Sequence, residues 1–303
     1  MKPIIIAGQT ATGKTDAAIA VAKEINGEII SADAVQIYRF MDIGSAKPSR
    51  EELRKIKHYF IDIKNPDENF SAGEFAEEAR KIMDSLKKKG KNSVIVGGTA
   101  FYLEALVFGI DQIDAPDKKI KRFFDDVCDE LGSFYLYEWL KLVDEKWSSK
   151  VNPNDCQRIK RGLSVYVDKL RPISSYFSKT SNVDDFCIFV LHAPREFLKK
   201  RIALRVDKMI ESGLIEEVKR LLAMGYGSAV GLKAIGYKET VDFIRGRIAT
   251  IDELKERITF NTLSFAKRQL TFLRSRFKDA VWIDIEKEDA AKVILNSSCC
   301  HLP

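Results

Sequence analysis

The sequence has no long apolar run. Its first hydrophobic stretch, Pro3-Ile4-Ile5-Ile6-Ala7, is far too short to cross a membrane. Cysteine and histidine are scarce, at five and three residues. The cysteines show no paired-ligand spacing, which argues against a structural zinc site. Their odd number, with no secretory leader at the start, makes a reducing cytosol the expected compartment. Internal repeats and low-complexity segments are absent too, which leaves out solenoids and biased linkers. The strand at Asn92–Val96 also lacks the acidic end with which a motor-type nucleotidase holds Mg²⁺, and runs into Gly97-Gly98-Thr99 instead. The charge surplus is small: 50 basic against 44 acidic side chains leave +6, which permits an anionic partner without requiring one. A length of 303 residues suits one large or two modest domains.

What is present begins at Gly8-Gln9-Thr10-Ala11-Thr12-Gly13-Lys14-Thr15, which has the spacing of a phosphate loop. Glycines let successive backbone N–H groups turn toward an anion. Lys14 adds a point charge for the terminal phosphates, and the Thr15 hydroxyl suits a phosphate-bound Mg²⁺. A short apolar strand precedes the loop. A helix from Asp16 to Ile25 follows it, with Ala18, Val21, Ala22 and Ile25 inward. Strand, loop and helix N-terminus together predict a diphosphate or triphosphate site. A chance glycine turn is the bland alternative.

The next strand, Glu28-Ile29-Ile30-Ser31, delivers Asp33 to its carboxyl end, where ligands sit in open parallel sheets. Asp33 reads equally well as a cap for the segment that follows. His58 to Ile63 is apolar enough for a strand. Ser71 and Glu74 are spaced as a capping box for a helix running to about Lys89. Asn92 to Val96 is another strand, ending in Gly97-Gly98-Thr99. From Asp111 to about Asp185 the pattern turns wholly helical. Ile120, Phe123, Phe124, Val127 and Leu131 form one apolar stripe there, and Gln157, Arg158 and Arg161 lie opposite Ile159, Leu163 and Tyr166. Phe186 to Leu191 returns as a strand. The expected architecture is therefore α/β, a P-loop-like parallel sheet core flanked by helices (residues 1–110 and 186–303) with an all-helical insertion (111–185). Further on, Arg201, Arg205 and Lys208 form a basic stripe, and a long helix from Glu253 carries Lys267, Arg268, Arg274 and Arg276. Solvation and phosphate contact account equally for such stripes.

Eight stretches in order resemble the tRNA dimethylallyltransferase (tRNA isopentenyltransferase) family. They are the Gly8–Thr15 loop, Ser31 to Tyr38, Met41 to Pro48, Val96 to Thr99, Asn152 to Arg158, Arg201 to Arg205, Ala234 to Glu239 and Ala266 to Gln269. The resemblance implies transfer of a dimethylallyl group from dimethylallyl diphosphate to N6 of the adenosine immediately 3′ of the anticodon, in tRNAs reading codons that begin with U. It implies Asp33 as general base, Thr99 at the reacting centre and Arg205 on the leaving diphosphate. Gly8, Thr10, Ala11, Thr12, Gly13, Lys14 and Thr15 would hold the diphosphate, with Mg²⁺ on Thr15 as cofactor. The implied contacts to the tRNA anticodon stem-loop are Asp33, Ala34, Val35, Gln36, Thr99, Lys121, Gln157, Arg158, Ile159, Lys160 and Arg161.

Some positions depart from the family pattern. Gln9 replaces a usual proline, which predicts a less rigid loop entrance. Ala34 replaces a common serine. Gly162 and Ser164 replace Ala and Glu, and Gly162 is expected to weaken its helix by about 1 kcal/mol relative to Ala. Two other readings stand beside the tRNA prenyltransferase: an adenylate isopentenyltransferase acting on free AMP, ADP or ATP, and an ATP-binding P-loop ATPase or kinase. A cytoplasmic monomer with no membrane partner is the expected form.

Overall fold

The first strand, β1 (Ile4–Gly8), is buried along its whole length, as a strand covered on both faces must be. In this computed structural model, which describes residues 1–109, 113, 116–176 and 183–298, β1 leads to α1 (Lys14–Glu24), β2 (Gly27–Ser31), α2 (Arg50–Lys55) and β3 (His58–Tyr59). Then come α3 (Ala72–Lys88), β4 (Asn92–Gly97) and α4 (Ala100–Phe108). Four helices follow: α5 (Lys118–Leu131), α6 (Ser133–Val143), α7 (Glu145–Ser148) and α8 (Cys156–Lys169). The chain resumes with β5 (Cys187–His192), α9 (Arg195–Glu211), α10 (Leu214–Ala223) and α11 (Tyr237–Ile244). It continues through α12 (Ile251–Arg276), β6 (Val281–Asp284) and α13 (Ala290–Leu295).

The six strands form one sheet in the order β3-β2-β4-β1-β5-β6. Every pairing is parallel. Ile5 faces Ile95 of β4 on one side and Ile188 of β5 on the other. Successive strands thus move to opposite sides of β1, and the reversal leaves a crevice at the carboxyl ends, the usual ligand position in such sheets. Helix α1 packs on this sheet through Ala17, Ala18, Val21 and Ala22. Helix α3 starts at a complete capping box between Ser71 and Glu74. The apolar stretch at 58–63 pairs with β2 only at His58 and Tyr59. Phe60 and Asp62 then take positive φ, which ends the strand.

The chain divides into two compact units, Met1–Phe108 with Ser181–Pro303, and Gly109–Thr180. The second is helical. Its core gathers Phe124, Leu136, Leu140, Val151, Ile159 and Leu163. Of the predicted α5 stripe, Phe124 is buried, whereas Phe123 and Leu131 remain exposed. Cys128 and Cys156 lie across α5 and α8 with Cα atoms 6.9 Å apart and their sulfurs against each other, a proximity that their sequence separation did not suggest.

The expectation for Gly162 is overturned by packing. A Cβ there would lie 2.8 Å from Leu140 Cδ1 and 2.9 Å from Trp147 Cδ1. Helix propensity favours Ala by about 1 kcal/mol, but overpacking a filled core costs about 1–3 kcal/mol. Gly162→Ala is therefore expected to lower the stability of the helical unit, and a denaturant titration reporting on Trp147 would read the shift. A gain of 1 kcal/mol would mean that the contact relaxes freely.

Candidate active site

Adjacent strand ends supply the site. Beyond β1 the chain turns at Ala11 (φ 63°) and Gly13 (φ 79°) and enters α1 at Lys14. No side chain caps that helix, so its first amides remain available to an anion. Gly8 is required by close approach: a Cβ there would lie 2.2 Å from the Leu191 carbonyl of β5. The loop is fastened internally. Thr12 Oγ1 and Lys14 Nζ both donate to the Gln9 carbonyl, at 2.7 and 2.5 Å. Desolvation pushes the Lys14 ammonium down to about 7, with Asp33 opposing the shift and Arg205 adding to it. Lys14 and Arg205 thus bring two partly buried positive side chains to the loop, with Asp33 as their counter-charge.

The β2 and β4 ends are tied to each other. Ala32 N–H donates to the Val96 carbonyl and Thr99 N–H to the Ala32 carbonyl. Thr99 Oγ1 accepts the Ala34 N–H at 2.9 Å. Gly97 permits this closeness, because a Cβ there would lie 2.0 Å from the Ala32 carbonyl oxygen. Asp33 Oδ1 accepts the N–H groups of Val35 and Gln36 at 2.8 and 3.2 Å. Asp33 is therefore a turn cap and, at the same time, a carboxylate held beside the cradle. It is the charge that opposes the desolvation of both Lys14 and Arg205.

Helix α9 brings two arginines to the loop. Arg205 Nη1 stands 3.4 Å from Thr10 Oγ1, and Arg201 Nε donates to the Ala11 carbonyl at 2.8 Å. A cavity of about 470 Å³ opens beside Arg205, lined also by Ile43, Lys47, Asp62, Lys208 and Met209. Its rim is the loop Met41–Pro48, which Glu217 of α10 holds from below. The Glu217 carboxylate is 2 % exposed. It accepts the N–H groups of Asp42, Ile43 and Gly44 and, at 2.7 Å, the Tyr237 hydroxyl. Burial and this carboxylate together raise the Tyr237 phenol well above its usual range. Gly44 fits because a Cβ would meet the Tyr237 ring at 2.5 Å.

A parallel sheet carrying an anion cradle and a capped carboxylate at neighbouring strand ends is the frame; the sequence pattern of IPP transferase matches it over residues 36–276. The chain belongs to the IPP transferase family. The tRNA dimethylallyltransferase of Thermotoga petrophila is 41% identical over 294 residues, covering 97% of this chain and 95% of that protein. A solved tRNA delta(2)-isopentenylpyrophosphate transferase from Staphylococcus epidermidis is similar at 35% identity and a TM-score of 0.68, over 97% of both chains. A eukaryotic dimethylallyltransferase acting on tRNA superposes with a TM-score of 0.80 at 25% identity, over 98% of this chain and 77% of that one.

In this IPP transferase the residues expected to act together fall into two groups. Gly8, Thr10, Ala11, Thr12, Gly13, Lys14, Thr15, Asp33, Ala34, Val35, Gln36, Thr99 and Arg205 all lie in the sheet unit. Lys121, Gln157, Arg158, Ile159, Lys160 and Arg161 lie in the helical unit. Lys121, Gln157 and Arg158 are exposed there. Ile159 departs from the expected RNA contacts: it is 0% exposed because it faces the helical core. Lys160 is paired with Asp125, and Arg161 donates to the Ile113 carbonyl at 3.0 Å. Gln36 is also engaged internally, with its amide against the carbonyls of Ser45 and Ala46.

Gln9 corrects a second expectation. Rather than loosening the loop entrance, its buried side chain accepts the Ala193 N–H and donates to the Ala266 carbonyl, both at 3.2 Å. Two tertiary hydrogen bonds thus take the place of a proline's fixed φ. Sequence reasoning gave no role to Glu217 or Gln269, and placed Arg201 only in a basic stripe read as solvation or phosphate contact. Two of their stretches, Arg201–Arg205 and Ala266–Gln269, carried the family resemblance, and that was the available signal.

Proposed function

We propose that this IPP transferase moves a dimethylallyl group from dimethylallyl diphosphate to N6 of the adenosine immediately 3′ of the anticodon, in tRNAs reading codons that begin with U. The observation that carries the reading is Asp33, a carboxylate fixed by two backbone amides next to a desolvated Lys14 and Arg205. An adenine exocyclic amine is a weak nucleophile because its lone pair is shared with the ring. As N6 bonds to C1 of the prenyl group, the C1–O bond breaks and its electron pair leaves on the diphosphate. Asp33 takes the N6 proton, a general-base step. Lys14, Arg205 and the first amides of α1 stabilise the charge gathering on the diphosphate. Thr99, tied to the residue after Asp33, sits on the adenosine side.

The donor set fits Mg²⁺ held chiefly by substrate. The Thr15 hydroxyl stands in the first turn of α1, and the described residues contain no cluster of three or more His, Cys, Asp or Glu. Mg²⁺ typically takes one or two protein oxygens and completes its shell with phosphates and water. When bound, it would neutralise part of the diphosphate charge. The target adenosine must leave its stack to reach Asp33, and exposed Lys121, Gln157 and Arg158 are the proposed grip on the anticodon stem-loop. The reading includes a cytoplasmic monomer. Among the described residues, no helix is long and apolar enough to cross a membrane.

The test is transfer of labelled dimethylallyl, with Mg²⁺, onto an unmodified anticodon stem-loop carrying three consecutive adenosines, with AMP and ATP as parallel acceptors. Label on the RNA alone is expected. Label on AMP or ATP alone would make the protein an adenylate isopentenyltransferase. ATP turnover without any label would make the loop that of an ATPase or kinase.

A further inference from the structure

Gln269 takes no part in the chemistry above, yet its side chain touches both halves of the site. We infer that Gln269 is a positioning residue, which sets the distance between the diphosphate cradle and the Asp33–Thr99 side. The inference rests on the transfer reaction proposed above.

On the cradle side, Gln269 Oε1 accepts the Thr10 N–H at 2.8 Å, and Thr10 Oγ1 faces Arg205. On the other side, Gln269 Nε2 donates to the Gly98 carbonyl at 2.8 Å. Thr99 follows, with Oγ1 accepting the N–H of Ala34, the neighbour of Asp33. The side chain is 4% exposed, so water does not compete well for either bond. A primary amide suits the place because it accepts at one end and donates at the other without carrying charge.

The helix that carries Gln269 is itself anchored. One turn earlier, the Ala266 carbonyl accepts Gln9 Nε2, which stops α12 from sliding along the loop. Ala266, Gln269 and Leu273 form a buried face of this 26-residue helix. Gly98 is matched to the amide: a Cβ there would lie 2.5 Å from Gln269 Nε2. The two loops leave different strands, and the reacting atoms must meet within about 3–3.5 Å; a misplacement of about 1 Å costs on the order of 10²-fold in rate. A bridge between the loops therefore acts on the rate of transfer more than on the binding of either substrate.

The experiment is single-turnover transfer to the anticodon stem-loop with both substrates saturating, beside equilibrium binding of each substrate alone. In Gln269→Ala the rate should fall by about 30–100-fold, and each separate affinity should change by less than about threefold. Gln269→Glu keeps the size and the Thr10 bond but sets a carboxylate oxygen against the Gly98 carbonyl. It should slow transfer in the same way and lower the unfolding temperature, so donor binding is measured at a temperature where the variant is folded. Gly98→Ala should slow transfer in the wild-type background and add nothing in Gln269→Ala, the non-additivity of residues in contact.

Transfer at the wild-type rate in both Gln269 variants would overturn the inference. So would a loss of donor affinity equal to the loss of rate, or strict additivity with Gly98→Ala. A wild-type protein that labels no RNA would instead remove the transfer reading, and this inference with it.

Discussion

Asp33→Asn is expected to cut single-turnover dimethylallyl transfer by about 10²–10⁴-fold, the range that a positioned general base supplies. The reason lies in how the two oxygens of Asp33 are used. Oδ1 receives the N–H groups of Val35 and Gln36 and shapes the turn after β2. An asparagine carbonyl can receive the same two bonds, so the turn and its ties to Thr99 should survive. What asparagine cannot do is take the N6 proton. Affinity for dimethylallyl diphosphate should therefore hold, and so should the unfolding temperature. Measuring rate, donor binding and unfolding on one preparation separates the chemical role from the structural one. Transfer within threefold of wild type at saturating RNA would remove Asp33 as the base.

Glu217→Ala should have the largest effect on stability, about 3–5 kcal/mol. Removing the carboxylate strands three backbone N–H groups of the loop at Asp42–Gly44 and the Tyr237 hydroxyl. An unsatisfied buried donor costs about 1–3 kcal/mol, and four such losses would exceed the total suggested here. Asp42 is exposed, however, so water reaches part of the gap and lowers the sum toward the value for breaking one buried ionic arrangement. Glu217→Gln keeps one acceptor oxygen and should lose less. Urea unfolding followed by tryptophan fluorescence would rank the three proteins. An Ala variant within 1 kcal/mol of wild type would show that the loop does not depend on Glu217. The rim of the cavity beside Arg205 is built on this loop, so the Ala variant should also bind the prenyl donor more weakly.

How far the sequence reveals the protein depends on the range of the interaction concerned. The turn from Gly8 into the uncapped start of α1 was legible because its signal is local: two glycines, a lysine and a threonine fall within eight residues. Asp33 and Gly97–Thr99 were legible because parallel strands present their carboxyl ends together, so a strand assignment already gives a place. Gln9, Glu217 and Gln269 were not legible. Their partners lie 257, 175 and 171 residues away in sequence, and nothing near a glutamine or glutamate shows which distant amide it will meet. Gly162 was misjudged for the same reason, since helix propensity sees only the helix while Leu140 and Trp147 belong to other elements. Ile159 was named for RNA by its place in a motif, although its spacing with Leu163 already put it on the apolar side of α8.

The central position of β1 has a consequence for how the chain is made. Ile4–Gly8 is made before both of its neighbours in the sheet, β4 at Asn92–Gly97 and β5 at Cys187–His192. At about 5–20 residues per second, roughly 10–40 s pass before β5 can close the second side. During that interval an apolar strand and the loop behind it have one flank open. A factor that shelters nascent apolar segments would find a target in β1, and the loop behind it gains its partners only once Arg205 and Gln269 have been made.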